Sequence, residues 1–340
     1  MIDARTDPPF TALRIVRPAD LRPPDARHLD VAVLDMNHGW PNIGHESLLQ
    51  VLGEVARSLA PALERAGLRL RALSFDVRRG HVLPEPPGGR FSVYVGTGGP
   101  GQLDPRLNDG VSAESQGVRE DPAWEAPLFR LFDAVLADRE AALLGVCHTF
   151  GVMCRWAGIA RASLRGLAKG GKSTGILENV LTAEALEHPW FRRFADRLPD
   201  GRRLRIVDSR WFDLIPEPGF GGYLPIGFET RGLGGPAGEA LTMLEFARDA
   251  DGMVPRVFGV NHHPEIVDRR RQMGILDRKL VAGEVTRDWY DERVEILTRT
   301  CPDEDSEARL RLTSEWTLIG PLRHHLERQA RRGTATRGGG

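Results

Sequence analysis

Cysteine is scarce in this chain of 340 residues, which contains only Cys147, Cys154 and Cys301. Three scattered thiols cannot form a disulfide framework, and no two of them have the spacing of a zinc site. The sequence therefore predicts a cytoplasmic protein of a reducing compartment, without a structural metal.

Net charge and long apolar runs are also missing. The 46 basic and 47 acidic side chains leave a formal charge of −1, so no overall field attracts nucleic acid or acidic lipid. No segment approaches the roughly 20 apolar residues of a membrane span, and the charged, proline-containing N-terminus is unlike a secretory signal. We expect neither a nucleic-acid partner nor a membrane partner.

Regular patterning begins at Asp30, because residues 1–29 contain five prolines and no clear period. This composition predicts an extended or mobile N-terminal arm. The elements predicted next are a strand at 31–36, a helix at 47–66, strands at 68–75 and 91–95, a helix at 124–138 and a strand at 141–146. Such alternation is typical of an α/β domain with a mainly parallel sheet, whose ligands bind at the carboxyl ends of the strands.

The second half of the chain is broken by glycines and favours antiparallel sheet. After a helix at about 149–160, strands are predicted at 204–208, 222–229, 241–248 and 254–260, and helices at 269–280, 286–300 and 304–329. The apolar positions of the last three helices suit packing on the domain or against a second chain. The resulting division is an arm at 1–29, an α/β domain at 30–268, a helical extension at 269–329 and a disordered tail at 330–340.

Cys147 follows a predicted strand in the order Gly145-Val146-Cys147-His148-Thr149-Phe150-Gly151. Glycines around a strand-to-helix turn are typical of an elbow that exposes a nucleophile, and the helix N-terminus stabilises a thiolate. A buried cysteine that only fills the core has the same local pattern. Core packing is also our interpretation of Cys154, and Cys301 has no companion motif.

A second motif supplies the partners that a thiol nucleophile requires. The segment Val257–Glu265 reads as a strand that ends in His263, with the carboxylate of Glu265 two residues later. A nucleophilic thiol needs a histidine base and a third group that orients the base. Cys147, His263 and Glu265 therefore form a candidate catalytic triad, whereas strand alternation turns His262 away into a structural role.

These motifs resemble those of the class I glutamine amidotransferases, whose hallmarks are a glycine-flanked Cys elbow and a Gly-Val-Gln-Phe-His-Pro-Glu strand. The second motif reads here Gly259-Val260-Asn261-His262-His263-Pro264-Glu265, and the oxyanion loop of the family matches Thr97-Gly98-Gly99-Pro100. The resemblance covers about residues 30–268. It implies a flavodoxin-like, three-layer α/β/α fold with a mainly parallel central sheet, to which this chain adds the C-terminal helices.

The resemblance also implies a reaction. Cys147 would attack the side-chain amide of glutamine or of another γ-glutamyl compound, His263 would pass a proton to the departing ammonia, and Glu265 would hold the imidazole. The backbone N–H groups of Gly99 and His148 would bind the oxyanion. No cofactor or metal is implied. The ammonia would serve a separate synthetase subunit, since no ATP-binding synthetase module is recognisable; a homo-oligomer is the other possible assembly.

Two departures from the family pattern leave the acyl donor open. Thr149 and Gly151 replace the Gly and Gln of the family elbow, and Asp208-Ser209-Arg210-Trp211 stands where the family often has Ser-His. The extra Cβ of Thr149 is expected to narrow the pocket or displace the helix. The alternatives are a γ-glutamyl hydrolase or other amidase with a larger donor, and a catalytically retired interaction protein.

One further motif fits the P-loop expression, at Gly166–Ser173. A P-loop requires a buried strand before it and a helix after it, and neither flank is convincing, so we interpret the match as false. Its Lys169 and Lys172 are two of the three lysines in the chain. They form either a basic lip near the site, able to meet a carboxylate or phosphate, or a solvated turn.

Overall fold

Buried apolar runs form a ten-stranded central sheet. The computed structural model describes residues 10–39, 42–166, 171–219, 221–300 and 304–337. The strands in these ranges are β1 Phe10–Ile15, β2 His28–Asp35, β3 Arg69–Asp76, β4 Val93–Gly96, β5 Ala142–Val146, β6 Ala160–Leu164, β7 Ser173–Leu181, β8 Arg203–Arg210, β9 Phe212–Pro216, β10 Leu224–Thr230, β11 Ala237–Arg248 and β12 Pro255–Val260. The helices are α1 Gly44–Ser58, α2 Ala60–Ala66, α3 Glu125–Ala137, α4 His148–Trp156, α5 Ala183–Glu187, α6 Pro189–Ala195, α7 Arg269–Val281, α8 Arg287–Thr300, α9 Glu304–Ser314 and α10 Gly320–Arg337.

The sheet has a parallel half and an antiparallel half. Its strand order is β1-β3-β2-β4-β5-β12-β11-β10-β7-β8, parallel as far as β12 and antiparallel beyond it. β6 and β9 pair in a separate two-stranded sheet. The run β3-β2-β4-β5-β12 is the 2-1-3-4-5 order of flavodoxin-like folds, whose ligands bind at the carboxyl ends of the strands. The predicted α/β class is confirmed, as is the antiparallel character of the second half.

Alternate residues of β2 face two different cores. Val31 and Val33 pack in a cluster with side chains from α1, α2, α6 and α10, whereas Ala32 and Leu34 pack with side chains from α3 and α4. A strand that is buried on both faces lies between two helical layers. The fold is therefore the expected three-layer α/β/α arrangement.

The N-terminal part differs from the prediction in two places. β1, within the predicted arm, pairs in parallel with β3; as an edge strand it buries only Ile15 completely, so its sequence shows little periodicity. The predicted helix at 47–66 is two helices that meet at Leu59. The break is explained by Pro61, which lacks the N–H that a continuous helix would use.

The C-terminal helices fold back onto the α/β domain. Leu318, Leu322 and Leu326 are buried in the same cluster as β2, and α10 packs on α2 and β12. The prediction of an unstructured tail at 330–340 is wrong as far as Arg337, because α10 continues to that residue and buries Ala330 one turn after Leu326. Of the two placements considered for this segment, packing within the chain is the one observed. None of the helices in the described ranges is long and apolar enough to cross a membrane.

Candidate active site

Cys147 lies in the sharp turn between β5 and α4. Its φ of 49° and ψ of −103° form a strained conformation that a residue with a side chain rarely adopts. The Cys147 N–H donates to the carbonyl oxygen of Val260 at 2.7 Å, which ties the elbow to β12. Because α4 begins at the next residue, the positive end of its dipole lies at the sulfur. The strand-elbow-helix geometry is the one predicted from the flanking glycines.

His263 and Glu265 lie in the turn that follows β12. His263 Nδ1 is 2.8 Å from Glu265 Oε1, and both side chains are buried. The Cys147 thiol interacts with the same ring. Gly98 packs between nucleophile and base, since a Cβ placed on it would lie 2.9 Å from His263 Cε1 and 3.4 Å from Cys147 Cβ. The structure therefore brings the three residues of the candidate triad together.

Electrostatic contacts favour a protonated His263. Burial opposes a charge on this ring, but the Glu265 carboxylate and the Cys147 sulfur outweigh it and raise the pKa of His263 well above its ordinary value. Glu265 in turn lies at the N-terminus of α1, where a Cβ on Gly44 would be 3.0 Å from its Oε1. The positive end of a helix dipole stabilises an ionised carboxylate. These contacts favour the protonated form of the ring, which can donate a proton.

The C-terminal helices contact the turn that carries His263. Ser314 Oγ donates to the carbonyl oxygen of Pro264 at 2.6 Å. Five residues of π-helix, Glu315–Ile319, join α9 to α10 at this point. Such π-helical turns are often found where a helix serves a functional site.

The two other histidines near Cys147 are unsuited to act as its base. His262 is buried and lies with Nε2 3.4 Å from Thr317 Oγ1, on the side of the C-terminal helices. Burial and the nearby charge of His263 lower the pKa of His262 to about 3. Burial and the charge of Arg78 likewise lower the pKa of His148. Of these three histidines, His263 is the one whose pKa its surroundings raise.

The backbone N–H groups of Gly99 and His148 have no acceptor within the described part of the chain. Gly99 follows β4, and the N–H of His148 belongs to the first turn of α4. A side chain at position 99 would collide with the carbonyl oxygen of Met36, so only glycine fits this close approach. Free donors beside a nucleophile are what an oxyanion hole requires.

A buried ion pair fixes the glycine loop. Arg78 Nη1 donates to the carbonyl oxygens of Met36 at 2.9 Å and Pro100 at 2.7 Å. The same guanidinium binds Glu120 through two hydrogen bonds of 2.9 Å and 2.6 Å. Sequence reasoning missed this pair because its members are 42 residues apart and belong to no motif.

The two departures in the elbow have different consequences. Thr149 is buried against Gly96 and Gly145, and its Oγ1 donates to the carbonyl oxygen of Thr97 at 2.7 Å. Thr149 does not line the cavity, so the prediction that its side chain narrows the pocket is wrong. The side chain lies against Gly96 instead, where the absence of a Cβ leaves room for it. Gly151 does line the cavity.

A cavity of about 190 Å³ adjoins Cys147 and His263. The elbow and the glycine loop form one side of it. The other side is formed by the end of β8 and by α8, together with Lys172 just before β7. The residues that α8 contributes are Trp289, Arg293, Ile296 and Leu297. Sequence reasoning placed α8 in the helical extension and gave it no part in the site.

The remaining candidates are accounted for as follows. The P-loop match is false because its last residue, Ser173, begins strand β7, where a helix is required. Cys154 is fully buried in the core, and burial raises the pKa of its thiol. Lys169 and Cys301 lie outside the described residues. Within those residues, no group of three or more His, Cys, Asp or Glu side chains is arranged to hold a metal ion.

No family model matches the sequence, and no curated protein matches it. Among solved structures, the chain is similar to a glutamine amidotransferase from Thermotoga maritima, with 16% identity, 89% of this chain and 98% of that chain covered, and a TM-score of 0.47. A putative GMP synthase subunit from Thermoplasma acidophilum has 12% identity, with 70% and 85% covered and a TM-score of 0.39. The glutaminase domain of Trypanosoma brucei CTPS with bound acivicin has 9% identity, with 71% and 87% covered and a TM-score of 0.42. Similarity at this level assigns no reaction to the chain.

Proposed function

We propose that this chain is a cysteine-dependent amidohydrolase of the glutaminase type, which hydrolyses the side-chain amide of glutamine and releases ammonia for a separate partner. The observation that carries the proposal is the juxtaposition at one end of the sheet. A strained cysteine at a helix N-terminus faces a buried His263, which is itself held by Glu265 at 2.8 Å.

In the first half of the proposed reaction, the Cys147 thiol passes its proton to His263, and the resulting thiolate attacks the amide carbon and forms a carbon–sulfur bond. The carbonyl oxygen becomes an oxyanion, which the N–H groups of Gly99 and His148 bind. Donors held in place for a developing charge contribute about 3 kcal/mol each to the transition state. The raised pKa of His263 keeps a proton on the ring; as the carbon–nitrogen bond breaks, that proton goes to the nitrogen and ammonia leaves.

In the second half, water attacks the γ-glutamyl thioester. His263, now neutral, takes a proton from the water, and the carbon–sulfur bond breaks to release glutamate. Glu265 remains ionised throughout and stabilises the imidazolium that forms again. The sulfur and the ring return to their starting states.

A second candidate function is hydrolysis of a larger γ-glutamyl compound on the same residues. This candidate comes from the altered elbow, where Gly151 lines the cavity. The glycine does not by itself enlarge the cavity, because a Cβ at this position would lie 2.6 Å from both methyl carbons of Leu103.

Ammonia release from purified protein tests the proposal. Glutamine and a γ-glutamyl dipeptide are compared as donors, and denatured protein is examined by mass spectrometry for a thioester on Cys147. Cys147→Ala should lower turnover by more than about 10⁴-fold, whereas Cys154→Ala, the control thiol variant, should retain turnover. A glutamine-like diazo-ketone should label Cys147 in preference to Cys154.

Two results would contradict this function. Absence of ammonia release from glutamine and of glutamate release from the dipeptide, with Cys147 unlabelled by the diazo-ketone, would favour a retired interaction protein. Release of glutamate from the dipeptide alone would replace glutamine by the larger donor.

A further inference from the structure

Helix α8 belongs to the C-terminal extension, yet it forms one wall of the cavity that contains Cys147. Trp289, Arg293 and Leu297 are spaced four residues apart and therefore share one helix face, and all three line the cavity. The Arg293 guanidinium lies 5.1 Å from the centroid of the Trp289 ring and 3.0 Å from the exposed Glu292 carboxylate. This cation–π contact holds the charged group near the cavity wall.

Lys172 adds a second positive charge to the same cavity. Its side chain is partly buried, lines the cavity and has no ion pair or hydrogen bond among the described residues. Burial and the charge of Arg293 lower the pKa of Lys172, while Glu292, Cys147 and Asp208 act in the opposite direction. Two cations that repel each other in one cavity are stabilised when an anion binds to both.

Asp208 supplies the opposite charge in the same cavity. The residue is 1% exposed, and its Oδ2 accepts a hydrogen bond from Ser173 Oγ at 2.5 Å and pairs with Arg210 at 3.0 Å. Its Oδ1 has no hydrogen-bond partner in the described part of the chain. A buried carboxylate oxygen without a partner is costly, and a ligand N–H donor would satisfy it.

We propose that Lys172, Asp208 and Arg293 form a subsite for the charged head group of an amino acid. The two cations bind the α-carboxylate, and Asp208 Oδ1 accepts a hydrogen bond from the α-ammonium group. The inference rests on the proposed function, because it places the side-chain amide of the same amino acid at Cys147. A simple anion such as phosphate fits less well, since Asp208 repels it.

This subsite makes the C-terminal extension part of the substrate-binding site. The residues that contact the reacting amide belong to the α/β domain, whereas Arg293, which belongs to the extension, binds the α-carboxylate at the other end of the ligand. The donor therefore carries both α-groups in their charged forms, and blocking either group should weaken binding.

Binding is measured by calorimetry on the Cys147→Ala protein, which keeps the cavity but does not turn the ligand over. The ligands are L-glutamine, N-acetyl-L-glutamine, which lacks the ammonium group, and L-glutamine α-amide, which lacks the carboxylate. Each blocked ligand should bind about 10- to 100-fold more weakly than L-glutamine, the range expected for a lost hydrogen bond to a charged group.

Variants assign each charge to its residue. Lys172→Gln and Arg293→Gln, each in the Cys147→Ala background, should weaken binding of L-glutamine about tenfold or more and remove the preference over the α-amide. Asp208→Asn should remove the preference over the N-acetyl compound. Arg287→Gln is the control, because Arg287 is on α8, is 70% exposed and does not line the cavity; its affinities should equal those of the parent.

The outcomes separate this subsite from the proposed reaction. Selective binding of L-glutamine without ammonia release from the protein that retains Cys147 would support the subsite and contradict the reaction. Ammonia released equally well from all three compounds would support the reaction and overturn the subsite. Inorganic phosphate that binds as tightly as L-glutamine would also overturn it. Should Asp208→Asn fail to fold, the N-acetyl comparison still tests the ammonium contact.

Discussion

The parallel and antiparallel halves of the sheet contribute different kinds of group to one cavity. The parallel half places Cys147, Gly99 and His263 where strands end, so the backbone itself fixes their positions. The antiparallel half and the helices around it contribute side-chain charges, among them Asp208 and Arg293. In the proposed function, reaction and selectivity are thus carried by separate parts of the chain, which variants can distinguish.

Apart from removal of the His263 ring itself, the largest effect among the variants considered next is expected for Glu265→Gln, on the side of the parallel half. Turnover should fall about 10²- to 10⁴-fold, because the neutral amide no longer stabilises the His263 imidazolium. The Glu265 carboxylate is one of the groups that raise the pKa of His263, so the variant lowers that pKa. Activity that requires the protonated ring is lost as pH rises through its pKa, and this loss should begin at a lower pH in the variant.

The measurement is kcat/KM against pH for both proteins, with relative use of L-glutamine and its α-amide recorded at each pH. Selectivity between these donors should stay unchanged, because Glu265 touches neither charged group of the proposed subsite. An alkaline limb that does not move, or a change in selectivity, would contradict the division between the two halves.

The division also shows which parts of the site can be predicted from sequence. Buried parallel strands have continuous apolar runs, and their ends carry short motifs, so the elbow at Cys147 and the His263-to-Glu265 turn are visible as patterns. The mainly parallel α/β class follows from the same alternation, whereas the flavodoxin-like fold was implied by the resemblance to the family. The strands β6, β7 and β9 were missed, because segments that are partly exposed lack a clear period.

Long-range contacts could not be predicted from any local pattern. The contact of α8 with the cavity depends on how an amphipathic helix folds back, and its spacing alone is compatible with many partners. The Arg78–Glu120 pair depends on two segments that meet only in the folded chain. Thr149 shows the same limit at short range, since the direction of its side chain is decided by space at Gly96.

The next effect tests whether the C-terminal extension is an integral part of the domain. Leu322 is fully buried in the cluster that also contains β2 and α1. Leu322→Ala should lower the free energy of unfolding by about 2–5 kcal/mol, the usual range for a buried leucine. Chemical denaturation provides the measurement, and Val281→Ala is the control because Val281 is 90% exposed at the end of α7.

Unfolding should remain a single transition in which the fold and the cavity are lost together. A variant as stable as the control, or a separate early transition of the extension, would show that α10 is a loosely attached appendage. In that case α8 could not hold a defined position at the cavity.

The smallest effect on turnover is expected at His262, where the end of β12 meets the C-terminal helices. Burial and the charge of His263 lower its pKa to about 3, so the ring is neutral at working pH, and its nearest polar partner is Thr317 rather than Cys147. His262→Ala should change kcat/KM by less than about tenfold while lowering the unfolding free energy by about 1–3 kcal/mol, since it removes a buried ring. His263→Ala is the matched variant one residue away. It should lower kcat/KM by more than about 10³-fold, while its unfolding free energy falls by no more than the about 1–3 kcal/mol expected for His262→Ala.

The value of kcat/KM is measured by ammonia release and the unfolding free energy by chemical denaturation, on both proteins. A larger loss of turnover at His262 than at His263 would mean that the strand presents the opposite imidazole to Cys147, and it would reassign the base.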